Sequence, residues 1–278
     1  MTILLRHIRP LLALVITLTT LVHGQVVQDD PEELKGIDVV EHLGEEIPLD
    51  LAFVNGGGDT VTLQTYFEDG RPVILILGYY TCPMLCNLVF NGVAETAKEM
   101  AWTPGREYQI VSVSIDSTET SLIAGAKQEN YIASLDKPGA DDGWAFLVGA
   151  ADQSRALADA IGFEYFWVEE NQQYAHPAVI TVLSPKGKIS RYLYGIQFPE
   201  RDLRMALIEA SEGKVGSTID RIILSCYHYD PQAGGYVLFA GGLMRIGGFA
   251  TVAALGVLIG GMVWRDRRRR RKEVATRG

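Results

Sequence analysis

Long apolar runs and helically spaced apolar residues alternate along the chain from Arg71 onward. Pro72 to Leu77 is continuously apolar, the pattern of a strand buried on both faces of a parallel sheet. Leu88 to Met100 then carries Leu88, Val89, Val93, Ala97 and Met100 at helical spacing. Tyr108 to Ile115 predicts a second buried strand that ends at Asp116, and Glu119 to Leu135 a helix. Trp144 to Val148 reads as a strand, Asp152 to Ile161 as a helix, and Phe163 to Val168 as a short strand or bulge. Pro177 to Leu183 and Ile189 to Tyr194 flank Ser184-Pro185-Lys186-Gly187, a hairpin turn. Pro199 to Ser211 makes a closing helix.

The flanks follow other rules. Met1 to Gly24 has the form of a secretory signal: Arg6 and Arg9 are its basic flank, Leu11 to Val22 its apolar core, and Val22-His23-Gly24 its small-residue end. An uncleaved anchor is the alternative, and both place the body of the protein outside the cytoplasm. Residues 25–70 form a lead-in, acidic and weakly patterned over Asp29 to Asp50. Two short strands (Leu49–Val54, Thr60–Gln64) follow around the turn Gly56-Gly57-Gly58-Asp59. Residues 71–213 form the main domain, and 214–245 a membrane-proximal segment. Ile246 to Trp264 is an apolar stretch of 19 residues, long enough to span a bilayer. Seven of the next eight residues, Arg265 to Lys272, are basic, which predicts that the tail, 265–278, stays in the cytoplasm.

The chemistry concentrates in Thr81-Cys82-Pro83-Met84-Leu85-Cys86-Asn87, where the first buried strand feeds its helix. With Pro83 at the first helical position, Cys82 is the expected N-cap, and Cys86 shares its face. The positive field of a helix N-terminus favours thiolate. Side chains four apart on a helix have Cβ atoms about 5–6 Å apart, whereas a relaxed disulfide prefers about 3.8 Å. The pair is therefore better shaped to hold a soft ion than to close on itself. A plain disulfide and two buried thiols remain the structural alternatives. Two sulfurs leave room for a third ligand, most often histidine.

The order strand, Cys-bearing helix, strand, helix, then hairpin and helix is that of a thioredoxin-like α/β domain. It brings Tyr174-Ala175-His176-Pro177, at the entrance to the hairpin, beside the Cys-bearing loop. Pro177 then takes the place of the cis-proline of such domains, and His176 faces the two sulfurs. Thr81-Cys82-Pro83-Met84-Leu85-Cys86 with a distant His176 resembles the SCO/SenC family, over roughly Gly36 to Gly213. That resemblance implies a membrane-tethered copper chaperone of cytochrome c oxidase assembly, with Cys82, Cys86 and His176 as copper ligands. Its partners would be the copper-bearing oxidase subunit and other copper carriers. Two thiolates and a neutral imidazole favour cuprous ion. Asp116, at the carboxyl end of its strand, is expected to hydrogen-bond a ligand or to cap the helix from Glu119. The chain departs from the family pattern at Met84, Asn87 and Asp116-Ser117, and in carrying its clear span at the C-terminal end.

A thiol–disulfide oxidoreductase, with Cys82 attacking and Cys86 resolving to keep a partner's copper-binding cysteines reduced, is the second reading. A peroxidase ranks third, since no arginine can be assigned beside the cysteine. Cys226 and His228, in Ser225-Cys226-Tyr227-His228, are either a second metal-handling pair or incidental residues of a docking segment. Three cysteines are too few for a disulfide scaffold. The net charge of −9 conceals an asymmetry: Gln25 to Met244 holds 14 Lys and Arg against 32 Asp and Glu. Such acidity disfavours nucleic acid and anionic lipid as partners of the domain, and suits cations. The expected location is the cytoplasmic (inner) membrane, with the domain on its periplasmic side.

Overall fold

The computed structural model describes residues 39–211, the segments 227–230 and 235–238, and the helical positions Gly248, Thr251, Val252 and Leu255. The elements in chain order are β1 (Ala52–Asn55), β2 (Thr60–Thr62), a 3-10 turn (Leu63–Tyr66), β3 (Val73–Gly78), α1 (Leu85–Glu99), β4 (Gln109–Ser114) and α2 (Ser121–Leu135). They continue with β5 (Trp144–Val148), α3 (Ala151–Ala160), β6 (Phe166–Val168), β7 (Gln173–Ala175), β8 (Val179–Leu183), β9 (Ile189–Tyr194) and α4 (Glu200–Ala210). A last pair, β10 (Tyr227–Asp230) and β11 (Gly235–Leu238), is antiparallel.

Seven strands form one mixed sheet in the order β2-β1-β5-β4-β3-β8-β9. β3, β4 and β5 run parallel, and β8 pairs antiparallel with β3. Every residue of β3, β4, β5 and β8 is buried. Since alternate side chains point to opposite faces, both faces of the central sheet are covered, which explains the unbroken apolar runs. The core continues into an aromatic cluster of Phe90, Tyr131, Trp144 and Phe146, with the Tyr131 and Trp144 rings 5.0 Å apart. Each large apolar side chain so buried contributes about 1.5–3 kcal/mol. This α/β architecture is the expected thioredoxin-like one.

The strand closing β1 onto β5 and the isolated bridges Val39–Phe163 and Glu46–Lys188 tie the lead-in to the domain. Val39 and Ile47 are buried in the same core as β3. The short run Gln173–Ala175 pairs with Phe166–Val168 as a hairpin that the apolar pattern does not reveal. The signal, the span Ile246–Trp264 and the basic tail lie outside the described residues, apart from the four isolated helical positions. Among the described residues, no helix is long and apolar enough to cross a membrane.

Candidate functional site

Two chain segments meet at the carboxyl end of β3. The β3–β8 register pairs Val73 with Leu183 and Leu75 with Thr181. Continued outward, it sets Ala178 opposite Gly78 and carries His176 past the strand end, beside the loop that follows β3. Cys86 Sγ and His176 Nε2 lie 2.9 Å apart, although 90 residues separate them in sequence. His176 Nδ1 is 3.0 Å from the Pro177 carbonyl oxygen. A carbonyl only accepts, so Nδ1 carries the proton and Nε2 presents its lone pair to the sulfur. Phe163 stacks on the imidazole at 5.7 Å, and Tyr79 meets it edge-on at 6.2 Å. The ring is thereby fixed in tautomer and in tilt.

The helix starts later than the proline suggests. Leu85 is its first residue and Met84 its cap position, so Cys82 and Pro83 lie in the preceding turn. The Cys82 N–H donates to the Tyr79 carbonyl at 3.4 Å, and that turn keeps residues 82–84 out of the helix. Cys82 nevertheless takes up the helix terminus, because its sulfur accepts the Cys86 N–H at 3.4 Å. Cys86 Sγ in turn accepts the Tyr79 N–H at 3.4 Å. Pro177 is not cis: the described residues contain no cis peptide bond. Both thiols are free and buried, so the disulfide alternative is not what the structure contains.

The two sulfurs differ in charge preference. A hydrogen bond from the Cys86 thiol holds the Cys82 pKa far below its ordinary value, against the opposing effect of burial. The N–H groups of Cys86 and Met84 add to the lowering. Burial pushes the Cys86 thiol the other way, well above its usual range, and the neighbouring Cys82 sulfur reinforces it. Tyr79 Oη is buried without a hydrogen bond of ordinary geometry. Burial first, then Cys82, keeps that phenol protonated.

The loop itself is anchored by Glu119. Its Oε2 accepts the Tyr80 N–H at 2.9 Å and the Ser114 hydroxyl at 2.6 Å, and its Oε1 accepts the Thr81 N–H at 2.6 Å. The residue is buried. Asp116 turns elsewhere, its Oδ1 accepting the Thr118 N–H at 2.8 Å and the Thr118 hydroxyl at 2.7 Å. Thr120, not Asp116, stands at the cap of α2. On the far side, Asn87 donates to the Cys82 carbonyl at 2.7 Å and accepts from Lys127 Nζ at 2.6 Å. Burial lowers the Lys127 pKa, while Glu119, Cys86 and Cys82 oppose the shift. Glu119, Tyr79 and Lys127 were not singled out by sequence pattern. The one available signal was an acid three residues beyond a strand-ending Asp.

The side chains of Cys82, Cys86 and His176 thus converge, offering two sulfurs and one nitrogen. Among the described residues, no three His, Cys, Asp or Glu side chains already stand around an ion-sized point. At 2.9 Å, Cys86 Sγ and His176 Nε2 touch directly, with no room for an ion between them. Two such donors sharing one ion in trigonal geometry would be about 3.7 Å apart, given metal distances of about 2.0–2.3 Å. An opening of somewhat under 1 Å separates the two arrangements. The donor chemistry suits a soft cation, and the thiolate–thiol pair equally suits attack on a disulfide. Cys226 lies outside the described residues, and only the backbone pairing of His228 with Val237 is described there.

A family model described as SCO1/SenC matches residues 42–209. No curated protein matches the chain. Among solved structures, a candidate electron transfer protein from Aquifex aeolicus VF5 is 25% identical, over 62% of this chain and 96% of its own, with a TM-score of 0.55. Arabidopsis thaliana ScoI, crystallised with copper bound, is 19% identical over 61% and 98% of the two chains, with a TM-score of 0.44. A SCO1/SenC family lipoprotein from Bacillus anthracis str. Ames is 18% identical over 62% and 99%, with a TM-score of 0.49. The matched residues cover more than half of the chain and include both cysteines of the loop and His176. The chain belongs to the SCO1/SenC family.

Proposed function

We propose that this protein is a copper-binding chaperone that carries copper to, or matures the copper site of, a cytochrome c oxidase subunit. The observation that carries the reading is the approach of Cys86 Sγ to His176 Nε2, with the imidazole held as the tautomer whose lone pair faces the sulfurs. Cys82 and Cys86 as thiolates, with neutral His176, form a three-donor set suited to cuprous ion. Copper is cargo here, exchanged between ligand sets, so no turnover is implied. The carbonyl of Pro177 and the rings of Phe163 and Tyr79 orient the nitrogen donor. Family membership agrees with this reading, as do relatives whose crystals contain copper. Membrane anchoring by Ile246 to Trp264, with the domain on the periplasmic side, belongs to the same proposal.

The test is metal analysis of the full-length protein in detergent after loading with cuprous ion. One copper per chain is expected in the wild type. Its loss is expected in His176→Ala and in the Cys82→Ser/Cys86→Ser double variant, with far-ultraviolet dichroism unchanged. Wild-type copper content in His176→Ala would remove the histidine from the site.

A second reading is favoured by the opposite pKa directions of the two thiols. Cys82 as thiolate attacks a partner's disulfide, and Cys86 resolves the mixed disulfide. The partner leaves with two thiols, and Cys82 and Cys86 become the oxidised pair. Trapping of a mixed disulfide by Cys86→Ser but not by Cys82→Ser supports this use.

A further inference from the structure

The three donors of the proposed copper site are 5%, 1% and 5% exposed for Cys82, Cys86 and His176, yet cargo has to enter and leave. Met84 stands between the two cysteines in the turn that opens α1, and it is 66% exposed. Its carbonyl is pinned by the Leu88 N–H, which it accepts at 3.1 Å. The Met84 side chain is left largely in solvent. Nothing in the core requires an apolar residue here. A thioether is a soft, neutral donor that binds cuprous ion without first losing a proton.

We propose that Met84 is a relay ligand, whose sulfur takes cuprous ion at the surface and exchanges it with the buried Cys82, Cys86 and His176. The inference rests on the reading of those three residues as a copper site. A bond from copper to the donor's ligand breaks as the bond to Met84 Sδ forms. The Met84 bond then breaks as copper bonds the Cys82 thiolate, and Cys86 releases its proton to water as it follows. Copper stays cuprous throughout and no electron moves. Release runs through the same steps in reverse.

A relay lowers the barrier in both directions and leaves the equilibrium where it was. Cuprous ion supplied as its bicinchoninate complex to the full-length protein in detergent reads both quantities, by stopped-flow absorbance and by competition titration. Met84→Leu keeps the apolar bulk and removes the sulfur. Uptake and release are expected to slow together, each about tenfold, equivalent to about 1.4 kcal/mol of barrier. The dissociation constant is expected to stay within about twofold. A small chelator has no protein surface, so loss of a docking contact would not produce this slowing. Unchanged rates overturn the relay. Faster release with a weakened dissociation constant also overturns it, because that marks a resident ligand. A wild-type chain that takes up no copper removes the site itself, and with it the cargo to relay.

Discussion

Glu119 receives three hydrogen bonds in a buried setting, two of them from the backbone that leads into the cysteine loop. Removing the carboxylate leaves the buried Tyr80 N–H without an acceptor, whereas Thr81 is exposed and its N–H can turn to water. One such orphan costs about 1–3 kcal/mol. Glu119→Ala is therefore expected to lower unfolding free energy by roughly 1–3 kcal/mol and to weaken copper binding by loosening the loop. Asp116→Asn is the comparison, because its carboxylate serves Thr118. It tests whether the strand-end acid also supports the proposed copper ligands. Denaturant midpoints and copper affinities of the two variants, measured side by side, separate the roles. If Asp116→Asn weakens copper binding while leaving the midpoint unmoved, Asp116 acts on the site, and equal stability of Glu119→Ala and wild type would dismiss the anchoring role. The cysteines and His176 were legible because their residue types announce soft donors. Glu119 was not, because its importance lies in a reach from one loop to another that no local spacing encodes.

At the level of elements, α1 comes close enough to the loop before α4 to need a glycine. A Cβ at Gly92 would lie 2.1 Å from the Ile196 carbonyl oxygen. Alanine is the better helix former by up to about 1 kcal/mol, whereas overpacking of this kind costs about 1–3 kcal/mol. The clash wins, and Gly92→Ala is expected to lower the melting temperature. A higher melting temperature would mean that the loop can retreat without cost. The same competition between local and tertiary terms explains which elements were readable. β3, β5 and β8 are apolar at all but at most one position, so their pattern is decisive. β7 is three half-buried residues paired with β6, too short and too mixed to carry a period. The start of α1 was misplaced by the Pro83 rule, because the Tyr79–Cys82 turn overrides the local preference for a helix there.

Across the whole molecule, the long body of the chain and its C-terminal tail carry opposite charge. The stretch from Gln25 to Met244 holds a large acidic excess, whereas seven basic residues follow Trp264 directly. Moving a charged side chain to mid-bilayer costs roughly 2.5–3.5 kcal/mol on insertion scales. On the proposed topology, Arg245 would mark one edge of the span and Arg265 the other, and the basic tail would stay in the cytoplasm. A cysteine replacing Ala275 is expected to resist a membrane-impermeant maleimide in intact cells, while Asp141→Cys is expected to react. Labelling at position 275 would reverse the assigned orientation.

The contact between Cys86 and His176 closes a loop of 90 residues, and its consequence concerns the order of events during synthesis. Loop closure on this scale is an entropic cost that is met only once the intervening strands have paired. A growing chain that has passed Cys86 but not β8 holds both sulfurs and no imidazole beside them. Ions captured at that stage meet a different ligand set from the finished one. On the proposed reading of these residues as the copper site, selective loading is a property of the completed fold, and it begins only once β8 has joined the sheet.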